Sequence, residues 1–65
     1  MLEFRKIKNY EVTVEDEKVI NIVKPDQTTG YAYKYDEKQR ASIRQDNLTF
    51  DQLKSGIYDG RYEIY

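Results

Sequence analysis

Gly30-Tyr31-Ala32-Tyr33-Lys34-Tyr35 is the stretch from which the fold of this chain is read. Tyrosine recurs there at every second position. Successive side chains of an extended strand point to opposite faces, so a strand throws all three rings to one side and Ala32 and Lys34 to the other. The segment before it, Pro25-Asp26-Gln27-Thr28-Thr29-Gly30, has the composition of a loop. Pro25 removes a backbone donor and ends whatever strand precedes it.

Upstream, Phe4 to Val14 reads as the first strand, with an irregularity near Lys8-Asn9. Tyr10, Val12 and Val14 alternate there with Glu11 and Thr13, the period of a half-buried strand. Glu15-Asp16-Glu17-Lys18 is a polar break that suits a type I turn. It lacks the Asn-Gly or Asp-Gly of a tight primed hairpin, so a loop of about three to five residues is expected. Lys18 to Lys24 reads as the second strand and is apolar on both faces, Ile20 and Ile22 on one, Val19 and Val23 on the other. Such a strand belongs in the middle of a sheet or where a barrel closes. Its register stays open between Val12 facing Ile20 and Val14 facing Val19, and a slip of one reverses every side chain.

Downstream, Tyr31 to Tyr35 is the third strand, Asp36-Glu37-Lys38-Gln39 a second polar break, and Arg40 to Arg44 a fourth strand carrying Ala41 and Ile43. Residues 37–45 are also rich in good helix formers. The spacing of Ala41 and Ile43 makes no helical stripe, however, and favours strand. Thr49 and Gln52 form a capping box, and Leu48 and Leu53 occupy the positions of a hydrophobic staple across it. With Gly56 placed to end it in the left-handed conformation, a short helix over Phe50 to Ser55 is predicted. It is too short to stand alone, so Phe50 and Leu53 must hold it to the sheet. Asp59-Gly60 marks a turn, and Arg61 to Tyr65 a last strand in which Tyr62 and Ile64 alternate.

The fold class is therefore α+β and β-rich: a single small domain over residues 1–65, built as a small antiparallel sheet or partly open barrel of four or five strands, with one short helix near the C-terminus. The order of elements resembles that of SH3-like barrels, with an OB-like barrel as the second arrangement. A resemblance of element order implies nothing about function.

Sixty-five residues bury only roughly 60% of their unfolded surface, which points to a stability of about 3–5 kcal/mol from a single core. The sequence has no cysteine and no histidine, which excludes disulfides and zinc sites built on thiolate or imidazole. Self-association is the supplement that remains. Eleven basic and twelve acidic residues are spread along the chain for a net charge of −1, with no block of either sign. No apolar run approaches the about 20 residues of a membrane span. Met1-Leu2-Glu3-Phe4 lacks the apolar segment of a signal peptide, so a soluble, cytoplasmic protein is expected. The supply of Lys, Ile, Asn and Tyr suits an AT-rich coding sequence, and with the small size suggests a low-GC bacterium or one of its phages or mobile elements.

Few residues can carry covalent chemistry. Ser42 and Ser55 have no histidine to activate them. Glu15, Asp16 and Glu17 sit in a polar turn with nothing apolar to raise a pKa. Asp59-Gly60 offers one acid where a calcium loop needs several, and the glycine-rich phosphate motifs are absent. The chain is read as a non-enzyme with no cofactor and no metal.

Gly30-Tyr31-Ala32-Tyr33 resembles the centre of the aromatic motif of RNA-recognition domains, whose rings stack on bases. Thr29 stands where that motif has Lys or Arg and Lys34 where it has Val, and the second helix of those domains is missing. The tyrosine stripe has three readings. It is the core face of a small sheet; or an anchor surface for a protein partner, where Tyr and Arg are enriched; or a stacking platform for unpaired bases, aided by Lys34, Arg40 and Arg44. As a function, the favoured one is a small non-enzymatic binding protein, an accessory factor of a phage or mobile element that binds and modulates a host protein. Its candidate contact residues are Tyr31, Tyr33, Tyr35, Lys34, Arg40 and Arg44. The alternative is a single-stranded nucleic-acid-binding module on the same face, against which the net charge counts. Open sheet edges add the expectation of a homo-oligomer formed by strand-edge pairing.

Overall fold

Six strands and one helix follow one another as β1 (Leu2–Ile7), β2 (Tyr10–Glu15), β3 (Lys18–Val23), β4 (Ala32–Asp36), β5 (Ala41–Arg44), α1 (Phe50–Tyr58) and β6 (Tyr62–Ile64). They are seen in a computed structural model that describes residues 1–65. The strands form two three-stranded antiparallel sheets, in the orders β1-β2-β3 and β5-β4-β6. This is the expected strand-rich α+β class, with two small sheets in place of one and no closed barrel. No helix is long and apolar enough to cross a membrane.

The expected first strand, Phe4 to Val14, is in fact a hairpin. Its turn is Lys8-Asn9, with Ile7 paired to Tyr10 and Lys8 at φ 53°. The next connection is tighter than the expected loop: Glu15 pairs with Lys18, leaving only Asp16 and Glu17 between them. Both take positive φ, 51° and 67°, the primed geometry whose twist matches that of the flanking strands. A left-handed residue other than glycine costs roughly 1–2 kcal/mol, so the strands impose this turn against the preference of its residues.

A bulge resolves the two-faced pattern of β3. Val14 faces Val19, but the register then shifts, so that Thr13 faces Asn21 and Val12 faces Ile22. Ile20 is the extra residue, and it is exposed. In a regular strand Val19 and Ile22 would lie on opposite faces. The insertion turns both toward the core. The strand is consequently not central: β2 is, and β3 runs along the side of its sheet. Loop backbone covers its outer edge, through Val19 N–H to Leu48 O at 2.8 Å and Gly30 N–H to Ile22 O at 2.7 Å.

Residues 37–45 contain no helix: Ala41–Arg44 is a strand, as the spacing of Ala41 and Ile43 predicted. The helix begins as predicted, with Thr49 and Gln52 capping one another's backbone N–H groups at 3.2 and 3.0 Å. It runs past Ser55, however, and Gly56 lies buried inside it. The reason is contact from afar: a Cβ at Gly56 would overlap the Tyr62 ring. The glycine is there for close approach to β6, and the chain leaves the helix at Asp59.

Ile7, Val12, Val14 and Ile22 from the first sheet meet Phe50, Leu53 and Ile57 from the helix and Ala32 from β4, with Tyr62 and Ile64 of β6 packed at the margin. Arg5 closes the helix's first turn, its guanidinium 4.8 Å from the centre of the Phe50 ring and paired with Glu3 at 2.6 Å and Glu17 at 3.3 Å.

Gly56→Ala separates the two roles a helical glycine can have. If only helix propensity mattered, alanine would stabilise by about 1 kcal/mol. Overpacking against Tyr62 costs about 1–3 kcal/mol, and the expected result is a net loss, seen as a lower urea midpoint with an unchanged slope.

Candidate functional site

β4 is the central strand of the second sheet, and its two faces differ in kind. Ala32 is buried and faces Ile64, while Lys34 lies between Ile43 and Tyr62 on that same inner side. Tyr31, Tyr33 and Tyr35 are on the other side, away from the core. Tyr31 is 41% and Tyr35 58% exposed, and Tyr33 is half-buried. The core reading of the stripe is therefore overturned: the first sheet and the helix fill the interior, and the rings face outward.

Strand pairing enlarges this face with residues that the stripe alone does not reveal. Tyr33 lies opposite Glu63 on β6 and Arg44 on β5, and Tyr35 lies opposite Ser42. Beyond the last pair of β6, Tyr31 and Tyr65 exchange backbone hydrogen bonds at 2.9 and 3.0 Å, which brings a fourth ring onto the face. The Tyr33 and Tyr65 rings meet edge to face, with centroids 5.7 Å apart at 74°, an arrangement favoured by their quadrupoles. The alternation of Arg61, Glu63 and Tyr65 is visible in the sequence; the pairing of that strand with β4 is not.

Gly30 makes the junction between the sheets tight enough for this. A Cβ there would meet Ile64 Cγ2 at 2.6 Å and Lys24 Cγ at 2.9 Å. The chain can therefore pass from its bond with β3 directly into β4.

The expected cations divide. Arg44 is on the tyrosine face, its guanidinium 4.1 Å from the centre of the Tyr31 ring. Lys34 is on the opposite face. Arg40 occupies the left-handed residue that ends the β4–β5 turn, at φ 53°, and stacks on none of the rings. Arg61, not anticipated, joins Tyr33, Tyr35, Ser42, Gly60 and Glu63 around an open hollow of about 320 Å³.

Each arginine on the face carries its own acid. Arg44 Nε is 3.0 Å from Asp46 and Arg61 Nε 2.8 Å from Asp59, and the Arg61 hydrogen bond holds the Asp59 carboxyl below its ordinary value. Glu63 adds a carboxylate amid the rings and accepts a hydrogen bond from the Tyr65 hydroxyl. The face is thus aromatic and nearly neutral. Nowhere on the chain do three or more acidic side chains gather as a metal would require. A smaller hollow between the sheets, beside Ile20, Tyr31 and Leu48, measures about 100 Å³, below the range of about 300–1,000 Å³ typical of ligand pockets.

No protein-family model, curated protein or solved structure matches this chain.

The Tyr65 phenol is raised above its ordinary value of 10.0, first by its hydrogen bond to Glu63 and then by the charge of that carboxylate. A raised phenol supports the fold while protonated, and its contribution is lost as pH climbs through the folded-state value. Glu63→Gln is expected to move the Tyr65 titration back toward 10.0, followed by the ring resonances in an NMR titration. An unmoved titration would break the assigned pairing.

Proposed function

We propose that this chain is a small non-enzymatic binding protein, an accessory factor of a phage or mobile element, and that it holds a host protein on the outward face of β4 and β6. One observation carries the reading: Tyr31, Tyr35 and Tyr65 are exposed on a face that contributes nothing to the core. Rigid rings supply large contact area at low entropic cost. Tyrosine and arginine are also the residues that dominate interface energetics. Tyr33 and Tyr65 brace one another at the centre, so a partner meets a surface already in shape.

Nucleic acid fits the same face less well. Stacking on three or four rings is available, but phosphate attraction requires free cations. Arg44 and Arg61 are each paired with an aspartate, and Glu63 lies between the rings.

The test pairs the wild type with a Tyr35→Ser, Tyr65→Ser variant, which removes two of the most exposed rings and leaves the core intact. Against a host protein captured from the source cell, the variant is expected to lose at least roughly 30-fold in affinity, the equivalent of one interface hot spot, with little change between low and high salt. Undiminished affinity would place the contact elsewhere. Oligonucleotide binding that weakens steeply with salt would give the face to the nucleic-acid alternative.

A further inference from the structure

We infer that two copies of this chain pair along β1, antiparallel and in a single register centred on Phe4. The turn at Asp16-Glu17 fixes which backbone groups of β1 face outward. A two-residue primed turn closes on a hydrogen-bonded pair, here Glu15 and Lys18. Hydrogen-bonded and non-bonded positions alternate along β2, so Glu15, Thr13 and Glu11 bond toward β3, and Val14, Val12 and Tyr10 toward β1. Their partners Glu3, Arg5 and Ile7 therefore use their backbone groups within the sheet. Leu2, Phe4 and Lys6 direct theirs to the other side, where no strand lies.

The remaining edges are less available. Residues 28–30 and 48–49 cover the outer edge of β3, and β6 and β5 have only three and four residues. β1 is six residues long and open. It also carries Phe4 at 81% and Leu2 at 49% exposure, and an open strand with apolar side chains is a template for another strand.

Side-chain chemistry then selects the register. Facing residues must share both a sheet face and a hydrogen-bonding class, so even positions meet even ones and odd meet odd. Centring on Glu3 sets Glu3 against its own copy, and centring on Arg5 does the same with Arg5; like charges directly opposite one another are destabilising. Centring on Phe4 sets Glu3 against Arg5 of the second copy, twice over by symmetry. Phe4 meets Phe4 on the two-fold axis, and Leu2 lies against the stem of Lys6. The Phe4 pair and both Leu2–Lys6 pairs exchange backbone hydrogen bonds, and the two β1-β2-β3 sheets become one continuous sheet. The interface is isologous and closes on itself, so assembly stops at two chains.

The chain has no cysteine, which makes a register test direct. Facing Cα atoms of a bonded antiparallel pair are about 5.5 Å apart, within disulfide reach. Phe4→Cys is expected to give a covalent dimer under mild oxidation, while Lys6→Cys, whose copies lie far from each other in this register, stays monomeric. In sedimentation from micromolar to millimolar concentration the wild type should pass from one chain to two. Phe4→Pro, which removes an outward-facing N–H and no bond inside the sheet, should remain a folded monomer throughout, as judged by its far-UV spectrum. A wild type that stays monomeric at millimolar concentration overturns the proposal. So does cross-linking of Lys6→Cys in preference to Phe4→Cys.

Discussion

Helix α1 is the element on which the two sheets depend, because it packs against β3 on one side and β6 on the other. Its inward residues Phe50, Leu53 and Ile57 are three of the eight buried apolar side chains, and Leu53 is wholly inaccessible. A helix of nine residues has little stability of its own. It persists because its first turn is capped by Thr49 and Gln52 and gripped by Arg5, and because Gly56 lets Tyr62 lie against its backbone. With the interior filled from the first sheet and the helix, β4 needs to bury only Ala32. Its tyrosines are thereby released to the surface.

What the sequence disclosed, and what it withheld, follows the range of the interactions. Period-two alternation located the strands at Tyr10–Glu15, Ala32–Asp36 and Tyr62–Ile64, though it ran β1 and β2 together as one, and the capping box located the start of the helix, since both signals lie within a few residues. The strand at Ala41–Arg44 was legible for the same reason. The turns were not. Lys8-Asn9 and Asp16-Glu17 carry no glycine, and the positive φ of Lys8, Asp16 and Glu17 is enforced by the strands they join. Gly56 read as a helix stop because its neighbour in space, Tyr62, is brought there by the tertiary fold. The β3 bulge leaves no local signal, because a run apolar on both faces is what a central strand also looks like.

The candidate site divides along the same line. The three rings of the stripe were placed on one face by local periodicity alone. Whether that face looked inward or outward depended on what else filled the core, a global question. Glu63, Arg61 and Tyr65 joined the face only through pairing between strands more than twenty residues apart in the chain. Lys34 and Arg40 show the converse error. Nearness in sequence suggested partnership with the rings, and pleat and turn geometry set them apart.

The open edge of β1 and the aromatic face belong to different sheets, so occupying one leaves the other free. Two chains joined edge to edge would present a pair of ring clusters on one rigid body. A target with repeated sites, such as a symmetric enzyme or a filament, would then be gripped at two points. The second grip is intramolecular once the first has formed, and such bivalence multiplies a modest single-site affinity by factors of about 10²–10⁴ where the spacing matches. For so small a chain, doubling is an economical route to tenacity.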